Sequence, residues 1–150
     1  MDIDYHFVDK VFVERNLGRL CSMVKGLKCC SWQEENFLKD LPSKWFYSMA
    51  AELKGEIVGF SINSAKDNNI VYTHLIVVDS NYRGECLGSS LMSALISRAR
   101  KHGMKELRLR CPAENTSAAR FYNKMGFKKT DTIYDETSHP YTGYLFSMKI

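Results

Sequence analysis

The apolar run Leu75-Ile76-Val77-Val78 leads into Arg83-Gly84-Glu85-Cys86-Leu87-Gly88-Ser89-Ser90-Leu91, and this junction constrains the fold more than any other stretch of the chain. A run that is apolar at every position, rather than at alternate ones, belongs to a strand covered on both faces. The glycines after it admit a tight turn, and Leu87, Leu91, Leu95 and Ala99 then recur at helical spacing until Gly103. A strand–turn–helix corner of this kind aims unpaired backbone N–H groups and the positive end of a helix dipole at one spot, which suits a phosphate or pyrophosphate. On its own such a corner often needs glycine only to turn. A second segment further along, Asn115-Thr116-Ser117-Ala118-Ala119-Arg120-Phe121-Tyr122-Asn123-Lys124-Met125-Gly126-Phe127, adds weight to the phosphate reading.

The remaining patterning places both segments in one α/β domain spanning residues 1–150. Ile3 to Val8 alternates as a strand, and Val11 to Val24 carries apolar residues at helical spacing, with Gly26 as its stop. Ser31-Trp32-Gln33-Glu34 fits a capping box that opens a second helix through Phe37 and Leu38, before Pro42. Trp45 to Leu53 and Ile57 to Asn63 read as an antiparallel hairpin about Lys54-Gly55-Glu56, and Ile70 to Val78 as the central strand. Leu87 to His102 is a helix and Glu106 to Cys111 a strand. Asn115, Thr116 or Ser117 caps a helix that ends at Gly126. Phe127 to Tyr134 and Tyr141 to Met148 form a last pair of strands joined by Asp135 to Pro140. The expected order is β-α-α-β-β-β-α-β-α-β-β, with a mixed, largely antiparallel sheet flanked by helices.

Bulk properties narrow the function classes. The formal charge of +4 is modest, but basic residues gather between Arg98 and Arg110 and again at Arg120, Lys124, Lys128 and Lys129. They are either a solvated face or a positive field around an anionic cofactor. No run of basic and aromatic residues makes a nucleic-acid reader, and no apolar stretch has membrane-spanning length. Cys21, Cys29, Cys30, Cys86 and Cys111 form neither a disulfide framework nor a CxxC pair, and His6, His74, His102 and His139 lack metal-ligand spacing. Met1-Asp2-Ile3-Asp4 is acidic and no apolar segment follows it, so a cytoplasmic protein without a metal is expected.

The element order and the two motifs together resemble the GCN5-related N-acetyltransferase (GNAT) superfamily over nearly the whole chain, most sharply from Ile70 to Phe127. That family's fingerprint is Arg/Gln-x-x-Gly-x-Gly/Ala after its fourth strand; here Arg83-Gly84-Glu85-Cys86-Leu87-Gly88 puts Cys86 where the middle glycine belongs. A side chain there crowds the pyrophosphate or opposes a positive φ, although the backbone N–H survives. The resemblance implies acetyl-CoA as cofactor. It implies that the loop amides Arg83, Gly84, Glu85, Cys86, Leu87, Gly88 and Ser89 hold the pyrophosphate, and that the backbone of Ile76, Val77 and Val78 pairs with the pantetheine arm. The Ile76 N–H stands where relatives polarise the thioester carbonyl. Asn115 is placed on the cofactor and Tyr122 beside the sulfur, as the acid that protonates the departing thiolate. The plainer alternative makes Phe121 and Tyr122 helix core and Asn115 only a cap.

An amine acceptor must also lose a proton. The two-residue period puts His74 on one strand face with Tyr72, Ile76 and Val78. Relatives that acetylate arylalkylamines carry histidines at the places of His74 and Tyr72, which implies His74 as base, directly or through a water, and Tyr72 as acceptor wall. The alternative is a histidine satisfied within the sheet. Relatives that acetylate a ribosomal protein's N-terminus carry a glutamate where this chain has Arg110, which disfavours that substrate class. Glu34, Tyr134 and His139 are further candidates for the acceptor pocket. The resulting expectation is an acetyltransferase acting by direct attack in a ternary complex. A small amine is favoured over a peptide or protein amine as acceptor, and homodimerisation is open. A non-catalytic acyl-CoA-binding module on the same fold is the alternative. A Rossmann-type nucleotide binder fits worse, because no acidic residue ends a neighbouring strand at the required spacing.

Overall fold

The structure, a computed structural model, describes residues 2–27, 30–67, 69–135 and 141–150, with Asp135 and Tyr141 as backbone alone. His139 and most of the last loop therefore lie outside the described residues. The elements are β1 (Asp4–Phe7), α1 (Lys10–Arg15), α2 (Leu17–Val24), α3 (Glu34–Leu38), α4 (Lys44–Tyr47), β2 (Met49–Leu53), β3 (Glu56–Lys66), β4 (Ile70–Val78), α5 (Leu87–Lys101), β5 (Glu106–Pro112), α6 (Thr116–Met125), β6 (Lys128–Asp135) and β7 (Tyr141–Lys149). They build one seven-stranded sheet in the order β1-β2-β3-β4-β5-β7-β6. Every strand pair is antiparallel except β4 with β5.

Three local expectations are corrected. The stretch Val11 to Val24 is two helices, because Asn16 turns its side chain back onto the Phe12 carbonyl at 2.8 Å and interrupts the ladder. The capping box sits later than Ser31: Gln33 is the cap, and its N–H donates to Asn36 Oδ1 at 2.8 Å. Trp45 does not begin a strand. Residues Lys44–Tyr47 form the short helix α4 after Ser43, whose left-handed backbone (φ 57) turns the chain sharply, and β2 starts at Met49. Lys44 explains the override of aromatic β-propensity there. Its Nζ donates to the carbonyls of Asn36, Phe37 and Lys39 at 3.2, 2.7 and 2.6 Å, closing the end of α3. Burial pushes this ammonium down to about 8.

Helices cover the two sheet faces unequally. On one face Leu87, Leu91, Met92, Leu95 and Ala99 of α5, with Tyr122 of α6, pack on Met49, Val58, Val71, Leu107, Leu109 and Phe146. On the other, Val13, Leu20, Val24 and Phe37 of α1, α2 and α3 pack on Phe60, Ile62, Leu75 and Val77. The β4–β5 pairing ends at Thr73↔Leu109, after four residue pairs. Beyond it β5 stays with β7 as far as Pro112↔Gly143 while β4 stays with β3, so the sheet forks. Among the described residues no helix is long and apolar enough to cross a membrane.

Candidate active site

The fork exposes one edge of β4. In an antiparallel ladder, residues alternate between turning their N–H and C=O to one neighbour and turning them to the other side. Asp79 donates its N–H to the Val58 carbonyl at 2.9 Å, so two-residue alternation turns Val77 to β3 and leaves Ile76 and Val78 facing the gap. Of the backbone expected to meet a pantetheine arm, that of Ile76 and Val78 is thus left unpaired by β5, whereas that of Val77 is turned to β3.

A polar clamp holds the exit of β4. Arg19 on α2 donates to the Ile57 carbonyl from Nε and Nη2 at 3.0 and 2.8 Å and to Asp79 Oδ2 at 2.7 Å. The Asn81 N–H and that guanidinium keep the Asp79 carboxyl below its ordinary range. After a single 3₁₀ turn over Ser80–Tyr82, Gly84 has φ 86 and Cys86 has φ 63 and ψ 20. Cys86 therefore takes the left-handed conformation instead of excluding it, with its side chain exposed. The cost of a non-glycine residue there is roughly 1–2 kcal/mol. As N-cap of α5, Cys86 makes no side-chain capping bond, and its carbonyl accepts the first helical N–H, from Ser90 at 3.0 Å. The amides of Leu87, Gly88 and Ser89 precede that bond and have no intrahelical acceptor. Gly88 lets α6 come close: a Cβ there would lie 3.4 Å from Phe121 Cζ. Beside Phe121 runs an open groove lined by Ser117, Arg120, Asn123 and Lys124. Two cations one helical turn apart thus line that groove on α6. Their spacing was visible in the sequence, but the approach of Phe121 to Gly88 was not.

Asn115 caps α6, accepting the Ala118 N–H at 3.2 Å and the Ser117 hydroxyl at 3.3 Å. Tyr122 is 8% exposed and packs edge-on against Phe121 and Phe127, with Phe146 tilted at 5.8 Å. Burial drives its phenol far above the ordinary tyrosine value, with a contribution from Cys111. It is a permanently protonated donor.

His74 is the extra residue of a β-bulge, since Ile62 pairs with Leu75 and Asn63 with Thr73. The bulge overturns part of the face assignment. Tyr72 does share the His74 face, their rings 4.9 Å apart, but Ile76 and Val78 turn to the α5 side. His74 Nε2 lies 2.6 Å from the hydroxyl of Ser64, itself 2% exposed. Lys66 Nζ stands 4.6 Å over the Tyr72 ring. Burial first, then Lys66 and Lys44, push the imidazole down to about 4. Neither Ser64 nor Lys66 was foreseen, because both reach His74 only through the bulged β3–β4 register. Directly across that register, Asn63 Oδ1 and Thr73 Oγ1 are buried without a hydrogen-bond partner.

Two proposed acceptor residues stay apart from this cluster. Glu34 sits exposed on α3, where it acts on the Cys21 thiol of α2. Tyr134 on β6 is 63% exposed.

The site is thus a forked sheet with an open β4 edge that runs into a glycine-bearing loop and a helix start without a side-chain cap. Residues 15–127 match the Acetyltransferase (GNAT) family, and the chain belongs to that family. It is 30% identical over 88 residues to an N-acetyltransferase of Methanocaldococcus jannaschii, covering 55% of this chain and 39% of that protein. The chain spans less than half the length of the curated relatives it matches. Among solved structures, Ard1 of Thermoplasma volcanium superposes with a TM-score of 0.86 at 23% identity, covering 100% of this chain and 99% of that one. Naa50 of Arabidopsis thaliana, in complex with the bisubstrate analogue CoA-Ac-MVNAL, gives 0.81 at 22% identity, with 100% of both chains covered. The mixed α/β architecture is that of these neighbours.

Proposed function

We propose that this chain is an N-acetyltransferase that moves the acetyl group of acetyl-CoA to a primary amine by direct attack within a ternary complex. The observation that carries the reading is the fork, where unpaired backbone groups of Ile76 and Val78 adjoin the free amides that begin α5. Those features fit an extended amide-bearing arm followed by a pyrophosphate, and Arg120 with Lys124 adds positive charge along the groove beside Phe121, the residue that Gly88 faces. The CoA thioester supplies an activated acetyl group. The residues of the chain do the rest. The Ile76 N–H is oriented to stabilise oxyanion charge as the amine adds. Tyr122 remains a donor at any working pH, and in this reading it hydrogen-bonds the leaving sulfur. His74 is neutral throughout the physiological range but weakly basic at about 4, so it orients water rather than taking the amine's proton outright. The final proton then passes to solvent. Tyr72 and Ser64 fix the imidazole from either side.

The acceptor is a small amine or a peptide amine; the bisubstrate complex of the Naa50 neighbour favours keeping the peptide in view. Titration calorimetry with acetyl-CoA, against dephospho-CoA and adenine nucleotides, tests the reading. Selective binding of acetyl-CoA is expected, and absence of binding would refute it. Binding without turnover of any amine would instead support a non-catalytic acyl-CoA module.

A further inference from the structure

Basic side chains gather at the fork. Val71, Leu107, Leu109 and Cys111 belong to the α5-side core, so the alternating residues Tyr72, Arg108 and Arg110 occupy the opposite face, together with His74. Tyr72 is paired directly with Arg108. Arg110 comes one residue after the last β4–β5 pair, at the mouth of the fork, next along β5 as His74 is along β4. Lys66 leans over Tyr72 from β3. Further across the same face lie Lys149, Lys128 and two carboxylates, Glu106 and Asp131. Glu106 is paired, whereas Asp131 keeps its charge two strands away from Arg110, across Leu145. Glu106 accepts from Arg108 Nη2 at 2.8 Å and from the Ser147 hydroxyl, and Asp131 accepts the Thr132 N–H at 2.8 Å. Arg108 is thereby neutralised. Arg110 is exposed and, among the described residues, has no hydrogen-bond or ion-pair partner.

From this arrangement, and resting on the acetyl-transfer reading above, we infer that the acceptor carries a carboxylate close to its amine, and that Arg110, assisted by Lys66, is the residue that selects it. A guanidinium offers a planar pair of donors matched to a carboxylate, which a flexible ammonium does not. A simple alkylammonium ion is repelled by the same field, whereas an amine joined to an anion is drawn in and oriented with its nitrogen toward the fork. The shared chemistry is an α-amino acid, or a peptide with an acidic residue next to its N-terminus.

The test uses the full chain with acetyl-CoA and follows CoA release for two matched pairs: alanine against alaninamide, and an Ala-Asp-initiated peptide against its Ala-Asn counterpart. In at least one pair the acidic member should have about tenfold higher kcat/KM, carried by KM rather than kcat. The responding pair identifies the source. Arg110→Gln should erase most of that ratio, Arg110→Lys should keep part of it, and Arg110→Glu should invert it. Raising the salt concentration should shrink it in the native protein. Equal kinetics for both members of both pairs, or a preference untouched by Arg110→Gln, overturns the inference. So does failure to turn over any acidic acceptor by protein that calorimetry shows to bind acetyl-CoA. Failure to bind acetyl-CoA at all overturns the acetyl-transfer reading instead.

Discussion

His74 gives the sharpest physical prediction, because its environment converts into a pH-dependent stability of known sign. The folded imidazole titrates at about 4 against an ordinary value of 6.5, with burial as the largest cause and Lys66 and Lys44 behind it. Above pH 6.5 it is neutral in both the folded and unfolded chain and contributes nothing to pH dependence. As pH falls below 6.5 the unfolded chain takes up a proton that the folded one resists, so stability is lost until the folded value is reached near 4. Linkage puts the loss at about 1 kcal/mol by pH 5.5 and about 3 kcal/mol near pH 4. Urea unfolding of the native protein and of His74→Gln, compared between pH 7.5 and 4, isolates this contribution. Carboxylates held low elsewhere, such as Asp79 and Glu106, are common to both proteins and cancel. The stability difference should tilt toward the variant by roughly that amount as the solution is acidified. A difference that stays flat would show that His74 is solvated, and the account of a desolvated imidazole beside two lysines would fail.

Other residues give further tests. Cys86→Gly should raise stability by about 1 kcal/mol in thermal unfolding, since only the left-handed φ of 63 is relieved; Cys86→Ala should leave turnover largely intact, and its abolition would point to a covalent route. Tyr122→Phe should lower kcat by roughly 100-fold while acetyl-CoA affinity by calorimetry barely moves, because only the donor is lost. Lys44→Met should cost about 3 kcal/mol in urea unfolding by stripping the buried ammonium from three carbonyls at the end of α3, that of Phe37 among them buried. Thr73→Val removes a buried hydroxyl that has no partner, and should be neutral or stabilising by up to about 1 kcal/mol on the same assay.

The elements that position the cofactor were legible because their signals are local. The apolar Ile70–Val78 run, the helical spacing of Leu87, Leu91 and Leu95, and the Asn115–Gly126 cap-to-cap helix each follow from neighbours within a few residues. What the sequence could not show depends on partners far along the chain. Lys44 makes α4 helical by reaching back to Phe37 and Lys39, so a stretch with strand propensity becomes a helix for a reason that no window centred on Trp45 contains. The bulge at His74 is of the same kind. Strict alternation along β4 puts His74 with Ile76 and Val78, whereas the extra residue opposite Ile62 and Asn63 moves them to opposite faces.

That displacement changes what the proposed chemistry asks of the site. With Ile76 and Val78 turned to the α5 side, the face His74 shares with Tyr72 lies toward Lys66, Arg108 and Arg110. Behind burial, Lys66 and Lys44 depress the imidazole, and by the same Coulombic argument Lys66 and the unpaired Arg110 depress an ammonium brought to the fork. An alkylammonium with a value near ~10.4 in water is almost wholly protonated at neutral pH, so lowering that value enlarges the attacking fraction before any base acts. The cations that make His74 a poor base therefore do part of a base's work. The free amine they favour must still be held against their charge on the ammonium form, which is the task that the proposed carboxylate partner of Arg110 performs. On this account a second positive charge should hinder an acceptor more than a missing carboxylate does. Lysinamide in place of alaninamide in the acceptor comparison should lower kcat/KM further, and an equal or faster rate for lysinamide would contradict the field argument itself.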